Sequence, residues 1–269
     1  MEQRPILAFV AMSGLLAGAT LWAAQKPPVA LPDTVLLASG PQTYRPAGEF
    51  RQGTRIVDAP TQMLDTTTLQ IMKYQVSEAD YALCVAENAC QPAPTSAKAD
   101  FPQTNINHAD ATAYAAWLSN RTGQLWRLPT DAEWLRAAAE RGSDDGFDRD
   151  ANGDDPSRRW IASYQREVAL RGAADPGRHP IGHFGLNDPG VADMAGNIWE
   201  WTETCFQNGT LTADGGGIAA ISEYCGVRAV QGKHRAFVVD FIRDARSGGC
   251  AAGVPPDYLG FRLVHDISS

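Results

Sequence analysis

Positive charge is scarce in this chain of 269 residues: 23 lysines and arginines stand against 31 aspartates and glutamates, a net charge of −8. No basic stripe with interleaved aromatics runs through it, so nucleic acid is not an expected partner. The chain also lacks an HExxH motif, a Ser-His-Asp pattern and a phosphate-binding glycine loop, so the common hydrolase and nucleotide-binding classes find no support. No two cysteines have CxxC spacing, which removes zinc-ribbon and thioredoxin-like readings. No internal repeat is apparent. Helical periodicity fades after Ser143, where glycine, proline and aspartate punctuate short apolar runs. A long region without regular ladders needs other devices to hold it, and disulfides, bound cations and buried tryptophans are available.

One long apolar run is present, from Ile6 to Ala24 after Arg4. At about 1.5 Å per residue it would span roughly 28 Å, enough for a bilayer core, and it also suits a secretory signal. Residues 1–25 therefore read as a signal peptide or membrane anchor, with export to the periplasm expected. Membrane contact is expected only through such an anchor. Proline-bearing residues 26–46 read as a linker, and 47–269 as the folded part.

Export to an oxidising compartment favours disulfides among Cys84, Cys90, Cys205, Cys225 and Cys250. Cys84 and Cys90 are close enough in sequence to close a small loop. Of the other three, one must stay free or pair between chains, and the sequence does not choose which.

Local patterns predict an early strand and three helices. Residues 68–76 alternate apolar and polar side chains, as a strand does. Ser77 with Asp80 resembles a capping box, and Tyr81, Cys84 and Val85 follow at helical spacing. Asn107 or His108 opens a second helix that presents Tyr114, Trp117 and Leu118 and stops at Gly123. Thr130-x-x-Glu133 opens a third, with Trp134, Ala137 and Ala138 as its buried stripe and Gly142 placed to end it.

Two stretches have the oxygen-rich, bent character of a calcium loop. In Asp193–Met194–Ala195–Gly196–Asn197–Ile198–Trp199–Glu200–Trp201 the two carboxylates flank a backbone able to aim carbonyls at the same ion. Asp148, Asp150 and Asn152 occupy positions 1, 3 and 5 of an EF-hand-type loop with Gly153 at position 6, but Arg159 stands at position 12 instead of a bidentate Glu.

Five ordered blocks resemble the formylglycine-generating enzyme (sulfatase-modifying factor) family. They are Lys73–Tyr74–Gln75–Val76–Ser77-x-x-x-Tyr81; Asn105 to Leu118; Arg127–Leu128–Pro129–Thr130–Asp131–Ala132–Glu133–Trp134; Asp193–Met194-x-Gly196–Asn197-x-Trp199–Glu200–Trp201; and Gly260–Phe261–Arg262–Leu263. The resemblance runs from about Tyr44 to Val264. It implies an irregular α+β fold, related to C-type lectins, with little regular secondary structure. It further implies a structural calcium held by the side chains of Asp193 and Glu200 and the carbonyls of Gly196 and Ile198.

The family oxidises a substrate cysteine with copper(I) held by two thiolates, soft ligands suited to that ion. The matching segment here, Gln231 to Arg246, contains no cysteine. Copper is therefore not an expected cofactor. The resulting expectation is an exported, non-catalytic accessory or binding protein of the bacterial envelope, with an envelope protein as partner. The alternative is an oxidative maturation enzyme that uses a modified family cleft, as in siderophore-tailoring relatives. His234, Arg243 and Arg246 are then the candidate catalytic residues.

Overall fold

The computed structural model describes residues 28–143, 161, 165, 177–247, 250–252 and 258–267. The apolar run near the N-terminus and the Asp148–Asp150–Asn152 loop lie outside the described residues. Among the described residues, no helix is long and apolar enough to cross a membrane.

The capping residues read from the sequence act as caps. Helix α1 (Glu78–Ala86) starts where the Ser77 side chain accepts from the Asp80 amide. Helix α2 (His108–Thr122) has a reciprocal capping box between Asn107 and Asp110 and ends at Gly123, whose φ of 73° an L-residue adopts only with strain. Helix α3 (Asp131–Ala138) opens on the Thr130/Glu133 box and continues as a short 3-10 turn to Arg141 before Gly142. In α2, Ala111, Tyr114, Ala115 and Leu118 form one buried stripe at helical spacing.

That stripe packs into the main core with Tyr81, Phe261, Trp201 and Leu263. Tyr81 and Tyr114 stack at 5.9 Å, and Phe261 meets both edge-on at 6.5 and 5.4 Å. A second cluster lies under α3, where Trp134 and Ala137 meet Leu69, Ile71 and Met194.

Among the described residues, three sheets frame these clusters. The first has the order β1 (Thr34–Leu37), β6 (Leu69–Met72), β13 (Val264–Asp266), β7 (Trp126–Arg127). The second pairs β2 (Gly40–Tyr44) with β5 (Gln62–Thr66). The third is built on a long antiparallel ribbon, β8 (Trp199–Leu211) and β9 (Ile218–Gln231). It runs β11 (Cys250–Ala252), β10 (Arg235–Val239), β9, β8, β3 (Gly48–Gln52), β4 (Arg55–Val57), with β12 (Leu259–Gly260) parallel to β8. The fold is thus mixed α and β, as expected.

Two expectations are corrected. The region after Ser143, expected to lack long ladders, contains the ribbon's strands of 13 and 14 residues, paired with register shifts at Cys205 and near Leu211. Residues 26–46, read as a linker, contain β1 and β2. Thr34 pairs with Met72, and Tyr44 with Gln62, so residues 34–44 are part of the folded body.

Cys84 is bonded to Cys90, as the sequence suggested, and Cys205 to Cys225. The second bond leaves Cys250 on β11 as the odd cysteine. Two disulfides suit an oxidising compartment.

Arg127 joins the end of β7 to α3 through two 2.7 Å bonds to Glu133. Burial alone would lift the Glu133 carboxyl. The Arg127 hydrogen bonds and the Thr130 amide outweigh it and hold the group below its ordinary value. A lowered carboxyl contributes fully above the unfolded value of about 4.3 and loses that contribution as pH falls through the folded value. Glu133→Gln should therefore show a shallower loss of stability below about pH 4.3 than the parent in urea titrations at stepped pH. Equal slopes would show that Glu133 carries none of the acid limb.

Candidate functional site

The loop leading into β8 is held by buried side-chain bonds. Asn187 donates to the carbonyls of Ala137 and Ala138 at 2.6 and 3.2 Å and accepts from the Val191 amide at 2.8 Å. Asp193, fully buried, accepts from the amides of Gly182 and Phe184 at 2.5 and 2.8 Å. Asp193, Ala195 and Asn197 all have left-handed backbones, with φ of 56°, 56° and 62°. Asn tolerates that region; Ala pays for it. Asn197 grips the His179 backbone on both sides of its Cα, accepting from the amide at 2.9 Å and donating to the carbonyl at 3.0 Å.

At the end of this loop Glu200 enters the core with 1% exposure. Arg262, itself fully buried, pairs with it through Nε to Oε2 and Nη2 to Oε1, both at 2.7 Å. Trp134 Nε1 and Gln75 Nε2 add a donor to each oxygen at 2.8 Å. The remaining Arg262 hydrogens reach the carbonyls of Met72, Lys73 and Ala192. This is a charge pair with donors and acceptors matched, the condition under which burial is tolerable.

That arrangement bears on the calcium expectation. The four donors on Glu200 include a guanidinium that would repel a cation. Both Asp193 oxygens accept backbone amides, and the Gly196 carbonyl accepts from the Ile198 amide at 2.8 Å. As arranged, the Asp193 and Glu200 carboxylates and the Gly196 carbonyl are engaged by donors within the protein, and Ile198 contributes its amide. They form the interior hydrogen-bond scaffold of the loop.

The outer face of the same loop carries polar and aromatic groups in sequence. Trp199, half-buried, meets the His234 ring edge-on at 4.5 Å and donates its amide to the Tyr258 carbonyl at 2.8 Å. The Tyr258 ring carries two guanidiniums, those of Arg178 and Arg246, each centred 5.2 Å from its centroid. Arg178 also donates to Thr104 Oγ1 at 2.8 Å and pairs with Glu78. Arg246 is paired with Asp244. Beside them, His179 and His183 stack at 4.1 Å, with Phe184 edge-on to both.

Two of the three catalytic candidates, His234 and Arg246, therefore border this face. Arg243 does not: it donates to the Pro92 carbonyl in the loop between α1 and α2 and to Asp110 in the first turn of α2. Arg178 and Tyr258 were missed, because residues so far apart in sequence leave no spacing signal. Gly232 lies against the indole of Trp199, where an added Cβ would sit 2.6 Å from a ring carbon. Gly232→Ala should cost about 1–3 kcal/mol by overpacking and alter indole fluorescence; an unchanged melt and emission would contradict this packing.

No cysteine lies between Gln231 and Arg246. His234 stands opposite Trp199, and four of the five cysteines are committed to disulfides.

Comparison with known proteins supplies the family. Residues 21–267 match the family model of the sulfatase-modifying factor enzyme 1-like domain. Among curated relatives, the formylglycine-generating enzyme of Mycobacterium tuberculosis is 34% identical over 116 residues, which is 40% of this chain and 35% of that protein. The inactive C-alpha-formylglycine-generating enzyme 2 of Bos taurus is 33% identical over 114 residues, 41% of this chain and 35% of that protein. The matched stretch thus spans about a third of the length of either relative, at 35% of each. Among solved structures, PvdO from Pseudomonas aeruginosa shares the fold with a TM-score of 0.54 at 21% identity, covering 91% of this chain and all of that one. With the family model matched over nearly the whole chain, and its sequence blocks meeting around one loop, this protein belongs to the formylglycine-generating enzyme (sulfatase-modifying factor) family.

Proposed function

We propose that this protein is an exported member of its family that works as a binding or accessory module of the bacterial envelope and does not oxidise cysteine through copper. One observation carries the reading: the segment that bears the family's thiolate pair has no cysteine, and His234 sits against Trp199 there instead. The scaffold around the site is otherwise complete. The Glu200–Arg262 pair, the Asn197 clamp and the Trp199–Tyr258 contact are all formed. An intact face without the reactive pair suits recognition better than turnover, and the bovine relative named as inactive is a precedent for such a state. The two disulfides are in keeping with export.

The direct test incubates the protein with copper(I), oxygen and a cysteine-containing sulfatase-type peptide, followed by mass spectrometry. The peptide is expected to stay unmodified. Conversion of its cysteine to the aldehyde would overturn the proposal.

The alternative of oxidative tailoring draws on the His234–Trp199–Tyr258–Arg246 row. It requires that His234→Ala and Arg246→Ala each abolish the cellular phenotype of the gene while leaving the protein folded. Arg243 no longer belongs in that test, because its substitution would loosen the α1–α2 connection.

A further inference from the structure

The two disulfides differ in their surroundings. Cys84 and Cys90 are 0% and 5% exposed and belong to the main core. Cys205–Cys225 bridges β8 and β9 at a break in their ladder. Cys205 pairs with Arg228, Phe206 pairs next with Tyr224, and the pairing shifts on both sides of Cys205. Cys225 falls in that break, and β10 pairs with β9 only from Val227 onward. The Cys225 side is exposed, whereas Cys205 is 8% exposed.

Charge is placed unevenly as well. The Arg228 guanidinium, 14% exposed as a side chain, lies 3.2 Å from Cys205 Sγ through Nη1. The same nitrogen donates to the Glu203 carbonyl, which fixes its position, and the Glu203 carboxylate is 3.4 Å away. On the open side, a Glu223 carboxylate oxygen lies within 4.8 Å of both sulfurs, held by Gln207 at 3.0 Å. One sulfur is therefore reachable by an incoming group, and the other sits beside a fixed cation. These are the two requirements of thiol–disulfide exchange: access to the attacked sulfur, and stabilisation of the thiolate that leaves.

We infer that Cys205–Cys225 is an exchange-active disulfide that accepts electrons from thiols at Cys225. An incoming thiolate attacks Cys225 Sγ and forms a mixed disulfide. The Cys205–Cys225 bond breaks, and its electron pair stays on Cys205 as a thiolate beside Arg228. A second thiolate then attacks the donor's sulfur, releases the donor disulfide and leaves Cys225 reduced. Two thiols lose two electrons and two protons, and the Cys205/Cys225 pair gains them. This activity is independent of copper and of the Trp199 face.

The test uses the whole folded protein in glutathione buffers of stepped ratio, with acid quenching, alkylation and peptide mass mapping. Cys205 and Cys225 should become reduced together while Cys84–Cys90 stays oxidised, and trapped glutathione should be found on Cys225. Arg228→Gln should slow the first step about threefold to tenfold, and Arg228→Lys should restore most of the rate. Glu223→Gln, an exposed change that does not threaten folding, should speed it. Glutathione on Cys205, a pair reduced only when the protein unfolds, or no rate change in Glu223→Gln and Arg228→Gln would overturn the inference.

Discussion

Arg262→Met is expected to lose about 3–5 kcal/mol of folding stability, because it strands the Glu200 carboxylate in the core. Glu200 keeps only the Trp134 and Gln75 donors after that change, and three carbonyls lose their guanidinium partner. A loss of that size is a large share of the 5–15 kcal/mol that holds an ordinary domain, so the variant should melt many degrees lower or not fold. Glu200→Gln strands the opposite charge and should cost a similar amount. The pair also decides the calcium question. If Glu200 serves Arg262, the loss in Glu200→Gln is the same with calcium and with a chelator in denaturant melts. A parent that gains stability from calcium while Glu200→Gln does not would return Glu200 to the role of a cation ligand. The double variant Glu200→Gln/Arg262→Met should recover part of the loss, because removing both charges is far less costly than removing one.

Asp131→Ala should have the second large effect, and a different signature. Asp131 is fully buried at the first position of α3, where its amide donates to Thr204 Oγ1 at 2.9 Å. Its carboxylate takes Arg235 Nη2 at 2.7 Å, Gln231 Nε2 at 2.5 Å and the Tyr44 hydroxyl at 2.9 Å. Burial, together with the negative charge of Asp131, pushes the Tyr44 phenol well up, so it stays protonated and donates. Gln42 donates to the Ala132 carbonyl beside it at 2.8 Å. Asp131 therefore joins β2, α3, β9 and β10 at one point. Its removal leaves the Arg235 charge without its carboxylate and should cost about 3–5 kcal/mol. The β2–β5 strand pair should open first, seen as early hydrogen exchange at residues 40–44 and 62–66. Uniform exchange across the whole chain, or none beyond the parent, would contradict Asp131 as the anchor of that pair.

The parts of this fold that could be read from sequence are those fixed by neighbours along the chain. Ser77/Asp80, Asn107/Asp110 and Thr130/Glu133 close their bonds within one helical turn, so spacing alone reveals them. Cys84 and Cys90 are six apart and bridge as their closeness suggested. The ribbon was hidden because bulges at Cys205 and near Leu211 break the alternation, and half of β9, from Ala219 to Cys225, is exposed on both faces. Residues 26–46 look like a linker because their strands pair with partners far along the chain, where no local pattern points. The candidate site was legible in its residues but not in their roles. Asp193 and Glu200 were found as special carboxylates, yet nothing near Glu200 in sequence announces Arg262, 62 residues away. Without that partner a buried acid between two tryptophans reads as a cation ligand. Likewise Arg243 looks equivalent to Arg246 until Asp110 is seen to hold it.

The measurement that bears most directly on the proposed function is a copper(I) competition titration of the protein against a chromophoric copper(I) chelator, free of oxygen and with both disulfides intact. Keeping both disulfides closed and replacing Cys250 by serine excludes every cysteine thiol as a ligand and leaves the family site to report. The account predicts that the protein takes no copper from the chelator. One tightly bound copper(I) per chain would contradict it and make the Trp199–His234 face a metal-dependent catalytic centre.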